Sequence, residues 1–264
     1  MMMKIEDVSC GYSLEKGRQK VVLEHLNLEI GKGEVWCVLG ANGIGKTTLF
    51  QTILGSLPPL NGTILLDQTE IHTLSKRELA RKIAYVPQYH TPPFPFTVRE
   101  IVLMGRNAYI DSFGMPVKAD EEIAEQMMEN LGIRHLADKV YTKISGGERQ
   151  MALIARAMTQ QAQILFMDEP SSSLDYGNQI QILKQIERLA GEGITVVFTS
   201  HHPEHAFLCH ANVAVIKGKN ELLTGKAEEL ITSELLYAIY GIHSRILQTE
   251  DENGKTVTAV VPFL

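Results

Sequence analysis

Apolar and polar residues alternate along residues 5–8 and again along 21–30, with the turn-rich GYSLEKGRQ between them. That period of two predicts two or three antiparallel strands. Residues 35–39 are wholly apolar instead, as in a strand buried on both faces. A helix is expected from Thr47, with Thr48, Leu49 and Phe50 in its first turn. After the loop GSLPPLNG come a strand over 63–67, a helix over 75–82, and a strand over 83–86 that Pro87 ends because it has no N–H. Prolines 92, 93 and 95 forbid regular structure until Thr97 caps a helix carrying Ile101, Val102 and Met104. A further helix is expected over 119–131, with Glu121 and Glu122 in its first turn, where the helix dipole favours them. Residues 118–143 carry no strand signal, so 90–156 reads as a helical insertion. Apolar runs over 164–167 and 194–199 predict two more buried strands, with a helix over 179–190 between them. A hairpin about Gly218, a helix pair ending at Tyr240, and two strands turned at Asn253-Gly254 complete the chain.

Three stretches carry chemistry. The first is GANGIGKTT, residues 40–48, between the apolar run at 35–39 and the helix at Thr47. Strand, glycine loop, lysine and hydroxyl, then helix is the arrangement of a P-loop that cradles nucleotide phosphates. Gly40, Gly43 and Gly45 allow a tight turn, so backbone N–H groups of Gly40, Ala41, Asn42, Gly43, Ile44 and Gly45 can approach phosphate oxygens. The helix adds its positive end beneath the same anion. Lys46 would reach the β- and γ-phosphates and Thr47 would hold Mg²⁺, with Thr48 following in the helix.

The second stretch is ISGGERQ, residues 144–150. Ser145 and Glu148 form a capping box at the head of a helix running to about Met158, with Met151, Ile154, Ala155 and Met158 as its buried stripe. Gly146 and Gly147 leave that N-terminus bare, so an anion could reach the amides. The third is Asp168-Glu169, directly after the 164–167 strand. Two carboxylates at the end of a buried strand are costly unless a cation or a reaction occupies them. Asp168 fits a magnesium partner held through water, and Glu169 fits a base that polarises water for phosphoryl transfer. Gln88 and His201 also end strands, where ligands bind in α/β sheets. Of the histidines 201, 202, 205 and 210, only His201 and His205 share helical spacing, and Pro203 intervenes, which disfavours a metal site. Tyr12 falls in the loop between the first strands, where a plain loop aromatic and a functional one stand equal.

Composition narrows the class. The 264 residues are 44% hydrophobic and 21% charged, as in a globular protein with a sizeable core. No apolar run approaches the ~20 residues that span a bilayer, and the start, MMMKIEDVSCGY, lacks the apolar core of a secretory signal. Cys10, Cys37 and Cys209 are odd in number and widely separated, which argues against a disulfide framework or a zinc site and for a reducing, cytoplasmic location. A net charge of −6 without a basic cluster disfavours nucleic acid as a partner.

The order of these pieces resembles the ATP-binding subunits of ABC transporters across essentially the whole chain. Residues 40–47 match the Walker A loop, Gln88 the Q-loop glutamine, 145–150 the signature, 164–169 the Walker B strand, 173–175 the D-loop, and His201 the switch histidine. The resemblance implies an α/β P-loop NTPase (RecA-like) core with a mostly parallel sheet, an antiparallel β subdomain and an α-helical insertion. It divides the chain into a nucleotide-binding core (1–89 and 157–225), a helical subdomain (90–156) and a small C-terminal extension (226–264). It implies ATP and Mg²⁺ as cofactors. Catalysis would fall to Glu169, His201, Gln88 and Lys46, and Mg²⁺ would be held by Thr47, Gln88 and, through water, Asp168. Tyr12 would stack on adenine. Ser145, Gly146, Gly147, Glu148 and Asp175 would touch nucleotide from a second copy in a head-to-tail dimer.

PFTVREIVLMGRNAY, FGMP, SGGERQ and HHPEHA look like importers of metal chelates (ferric siderophores, haem, cobalamin), with close relatives handling molybdate or tungstate. That implies a permease dimer contacted through Tyr89, Phe94, Phe96 and the prolines, an extracytoplasmic binding protein, and a peripheral place on the cytoplasmic face of the inner membrane. Ile144, Glu148, the serine-rich run before Leu174 and His202-Pro203 depart from the commoner family residues, and none removes a catalytic group. Two other classes stand beside this one. A soluble ABC-type ATPase acting on DNA or ribosomes would bring a long coiled coil or two ATPase halves. A monomeric P-loop kinase leaves 145–150 and His201 without work. Cargo and the role of 226–264 stay open.

Overall fold

The computed structural model describes residues 3–111, 114–254 and 256–263; Phe113 of the FGMP run lies outside them. Along the chain the elements are β1 (Met3–Ser13), β2 (Gln19–Ile30), β3 (Val35–Gly40), α1 (Lys46–Ile53), β4 (Asn61–Leu66) and β5 (Thr69–Glu70). Then come α2 (Lys76–Lys82), β6 (Ile83–Val86), α3 (Val98–Leu103), α4 (Lys118–Asn130), α5 (Gly146–Thr159), β7 (Ile164–Met167) and α6 (Tyr176–Gly191). The last group is β8 (Thr195–Thr199), α7 (Glu204–Leu208), β9 (Asn212–Gly218), β10 (Glu221–Lys226), α8 (Ala227–Leu230), α9 (Ser233–Tyr240), β11 (Ser244–Glu250) and β12 (Thr256–Pro262).

Two differences from the sequence expectation matter. Tyr12 is in β1, opposite Lys20 of β2, and not in the loop. Register shifts between Ile5 and Gly11 break the alternation that would have extended the strand in sequence. Helix α7 was not anticipated: it has five residues and starts behind Pro203, too short for a periodic stripe.

The chain forms two compact units, Met1–Thr73 with Leu183–Leu264, and Leu74–Ile182. The first holds an antiparallel sheet ordered β2-β1-β4-β5. It also holds the strand run β10-β9-β3-β8, in which β9, β3 and β8 are parallel and β10 closes a hairpin on β9. Paired on both edges, β3 buries Cys37, Val38 and Leu39, and α1 buries Leu49, Phe50 and Ile53. That two-sided cover is why 35–39 is apolar throughout. At the end of this unit β11 and β12 pair in full register from Ser244↔Pro262 to Glu250↔Thr256.

The second unit pairs β6 and β7 in parallel, Ile83↔Ile164 to Val86↔Met167. Its helices bury Ile101, Val102, Ala124, Met128 and Ile154. Capping boxes Ser75/Glu78 and Thr97/Glu100 start α2 and α3. A buried ion pair, Arg106 Nε to Asp120 Oδ1 at 2.7 Å, joins the segment after α3 to α4, and Arg106 also donates to Thr159 O at 3.1 Å. The guanidinium holds the Asp120 carboxyl below its usual range.

All three cysteines are buried and unbridged. Burial pushes their thiols up, Cys10 to about 11 and Cys37 and Cys209 further.

Candidate functional site

In the first unit the glycine loop leaves the C-terminal end of β3. Gly43 (φ +74°) and Gly45 (φ +119°) hold left-handed backbone. A Cβ on Gly45 would stand 2.6 Å from Val22 Cγ1, so both conformation and space demand glycine there. Asn42 and Gly43 are exposed, Ala41, Ile44 and Gly45 half-buried, and α1 begins at Lys46 with its first-turn amides facing the loop. Lys46 is buried, and its Nζ donates to the carbonyls of Gly40 at 2.8 Å and Ala41 at 3.2 Å. The ammonium is thus held over the loop, where a phosphate would meet it. Thr47 is exposed, whereas Thr48 points inward to the Tyr12 hydroxyl, Oγ1 to OH 3.1 Å. That bond holds the half-exposed Tyr12 ring against the start of α1. His201 follows β8, the parallel neighbour of β3, and the Ser200 amide continues the ladder to Val38 O at 3.2 Å. Glycine loop and His201 therefore leave the C-terminal ends of adjacent parallel strands, the edge at which α/β proteins bind ligands.

In the second unit Gln88 and Asp168-Glu169 leave the C-terminal ends of β6 and β7, and the Asp168 amide bonds Val86 O at 2.9 Å. Asp168 is 3% exposed and shares a hydrogen bond with Tyr85. Burial, and then the Asp168 charge, push the Tyr85 phenol up to about 12. The phenol therefore stays protonated and can donate to the carboxylate. Gln88 Nε2 donates to Glu169 Oε2 at 2.6 Å and lies 3.3 Å from Ser172 Oγ. Glu169 (φ +47°) and Ser173 (φ +62°) hold left-handed backbone without being glycine. Strain of this kind is retained at functional sites, where surrounding structure fixes it.

The capping box at α5 forms as expected: Glu148 N to Ser145 Oγ 3.3 Å, and Ser145 N to Glu148 Oε2 2.8 Å. Those bonds hold the Glu148 carboxyl below its usual range. A Cβ on Gly147 would stand 2.5 Å from Asn178 Oδ1, while Gly146 meets only Leu174 Cδ2 at 3.5 Å. Asn178 is itself held by Asp175, N to Oδ1 2.9 Å and Nδ2 to Oδ2 2.7 Å. Asp175 thus caps α6, and one chain of contacts runs from Gly147 through Asn178 to Asp175.

Sequence reasoning gave no role to Tyr85, Ser172, Asn178 or Ser200, and weighed His205 only as a metal ligand. Asp175-x-x-Asn178 did carry a signal, an acidic N-cap three residues before its donor. The others had none, because they are selected by turns that hydrophobic periodicity does not encode.

Each unit carries oxygen donors of the kind Mg²⁺ takes. Thr47 offers a hydroxyl, Asp168 a buried carboxylate, and Gln88, its N–H given to Glu169, keeps a carbonyl oxygen. Among the described residues no group of three or more His, Cys, Asp and Glu could cage a metal by itself. A few hard oxygens completed by phosphate and water is the usual provision for this ion. No helix among the described residues is long and apolar enough to cross a membrane. Tyr89 and Phe94 after Gln88 are 71% and 65% exposed, and the Phe94 and Phe96 rings meet edge-on at 5.9 Å.

Residues 23–172 match the ABC transporter family. An ABC transporter ATP-binding protein of Haemophilus influenzae is 38% identical over 96% of this chain and 94% of its own length. The molybdate import ATP-binding protein MolC of the same organism is 35% identical over 90% of this chain and 87% of its own. The ferric enterobactin transport ATP-binding protein FepC of Escherichia coli is 33% identical over 98% and 93%. Among solved structures, an inward-facing transporter assigned to the metal-chelate type superposes with a TM-score of 0.86 at 32% identity, covering 99% of this chain and 97% of that one.

Proposed function

Because the chain belongs to the ABC transporter family of ATP-binding subunits, we propose that it powers uptake of a metal chelate or of molybdate through a separate permease. ABC ATP-binding subunits hydrolyse ATP to drive transport, and this chain is an ATPase of that kind. The observation that carries the reading is a pair of glycine-flanked helix N-termini in one chain, α1 behind Gly45 with no side-chain cap and α5 behind the Ser145/Glu148 capping box. A triphosphate on Lys46 uses the first. The second, Ser145-Gly146-Gly147 with Glu148, is assigned to the nucleotide of a second copy arranged head to tail, together with Asp175.

The roles follow from the chemistry of each group. Backbone amides of the glycine loop and Lys46 take the phosphates. Thr47, Gln88 and, through water, Asp168 are the proposed Mg²⁺ partners, and the ion would draw charge from the phosphates when bound. Glu169 polarises the attacking water, His201 reads the γ-phosphate, and Tyr12 stacks on adenine. The exposed Tyr89 and Phe94, with the half-buried Phe96 behind them, suit an apolar groove on the permease, which would put the chain on the cytoplasmic face of the inner membrane as a peripheral subunit. The permease, in turn, would receive cargo from an extracytoplasmic binding protein.

Glu169→Gln tests the core of this. It keeps the shape but not the base, so the variant should bind ATP, hydrolyse it about a hundredfold or more slowly, and accumulate as a dimer in gel filtration. Full turnover in that variant would remove Glu169 from its role, and an ATP-loaded variant that stays monomeric would remove the head-to-tail pairing. For the cargo, the measurement is which ligand the partner binding protein retains. A sugar or peptide there sinks the chelate-or-oxyanion reading.

A further inference from the structure

Ser200 and His202 flank His201, and a single hydroxyl pins both. Ser200 Oγ lies 3.3 Å from His202 O, accepts from His202 N at 3.0 Å, and meets His205 Nδ1 at 2.9 Å. The Ser200 amide is tied to Val38 O at 3.2 Å, and the His205 amide to His202 O at 3.1 Å. Ser200 and His205 are 3% and 5% exposed, deep for polar side chains. The His202 ring lies against that of His205, centroids 4.9 Å apart.

From this geometry we infer that His205, acting through Ser200, is a positioning residue that fixes the backbone on both sides of His201. The inference rests on the reading of His201 as the group that meets the γ-phosphate. A hydroxyl has one proton and two lone pairs. All three contacts are satisfied when Oγ–H goes to His202 O and Oγ accepts from His202 N–H and from Nδ1–H of His205. Two soft dihedrals on each side set where a side chain points, so pinning residues 200 and 202 removes most of the freedom with which His201 could swing. Burial, and then His202, push the His205 imidazole down to about 4. It is neutral at working pH and serves as a post for the serine, not as a second charge on the nucleotide.

The test is steady-state ATPase kinetics and melting temperature on the full chain for Ser200→Ala, His205→Leu, His205→Asn, His201→Ala and Ser200→Ala/His201→Ala. Misplacing His201 should lower kcat about tenfold for Ser200→Ala and His205→Leu while the KM for ATP stays within about twofold, because most ground-state binding rests on the glycine loop, Lys46 and Tyr12. His205→Asn puts an amide N–H near the position of Nδ1–H and should recover most of that loss. Adding Ser200→Ala to His201→Ala should cost nothing further, since the two act as one unit. A general loss of structure would move KM and melting temperature too, and would not be rescued by asparagine. Inactive His201→Ala beside fully active Ser200→Ala and His205→Leu overturns the positioning and leaves the role of His201 standing. Fully active His201→Ala overturns both, and an additive double variant, or asparagine no better than leucine, overturns the positioning.

Discussion

Gly147→Ala sets two opposing effects against each other. Gly147 is the second residue of α5, and alanine is the better helix former by up to about 1 kcal/mol. Propensity alone therefore expects a more stable protein. The new Cβ, however, would lie 2.5 Å from Asn178 Oδ1 and 2.6 Å from Asn178 Cγ, distances real Cβ atoms do not show. Asn178 cannot simply swing away, because Asp175 holds it by backbone and side chain at 2.9 and 2.7 Å. Relief requires breaking the side-chain bond, at about 1 kcal/mol, or overpacking the start of α5, at about 1–3 kcal/mol. Breaking the bond is the cheaper relief, so after the propensity gain the net is a loss of up to about 1 kcal/mol, or up to about 4 °C in melting temperature for a chain of this size. ATPase activity should fall with it, since Asp175 moves with Asn178. The decisive comparison is the same substitution in an Asn178→Ala background, where the clash is gone and only propensity is left. There Gly147→Ala should be neutral or stabilising, which gives a coupling of about 1 kcal/mol in the double-mutant cycle. A Gly147→Ala protein that melts above the parent, or costs that add without coupling, refutes the steric argument.

Tyr12 separates ring from hydroxyl. Tyr12→Phe loses only the bond to Thr48 and should leave the KM for ATP nearly unchanged, whereas Tyr12→Ala should raise it about threefold to tenfold at constant kcat, as aromatic stacking is worth. Equal KM values for the two variants would remove the adenine contact. Tyr85 and Tyr240 both have phenols pushed up to about 12, mainly by burial. Folding raises the affinity for the proton, so the associated stability is fully present below the unfolded value near 10 and is lost as pH rises towards 12. Melting temperature should therefore fall less between pH 10 and 12 in Tyr85→Phe or Tyr240→Phe than in the parent chain. Parallel curves would show that neither hydroxyl is held as described.

Much of this was legible beforehand, for reasons that differ by element. The glycine loop, the 144–150 helix start and the carboxylates after β7 are local, and a few consecutive residues specify each through turn, cap or burial. The strands of the first unit were legible where the chain is apolar without a break, at β3 and β8, and under-read at β1, where bulges reset the period before Tyr12. The groups that orient the site were not legible. Ser172 reaches Gln88 only because Glu169 turns the chain through a left-handed conformation, and Ser200 finds His205 only because α7 starts where it does. Such contacts depend on the path of a turn, which no count of apolar positions records.

The three cysteine thiols have a practical consequence. Maleimides and methanethiosulfonates attack thiolates they can reach, and here every thiol is enclosed and held protonated well above neutral pH. The unaltered chain should thus be silent to these reagents while folded. One cysteine introduced at Phe94 would be the sole reactive position, ready for a cross-linker or spin label aimed at whatever docks there, without first building a cysteine-free background.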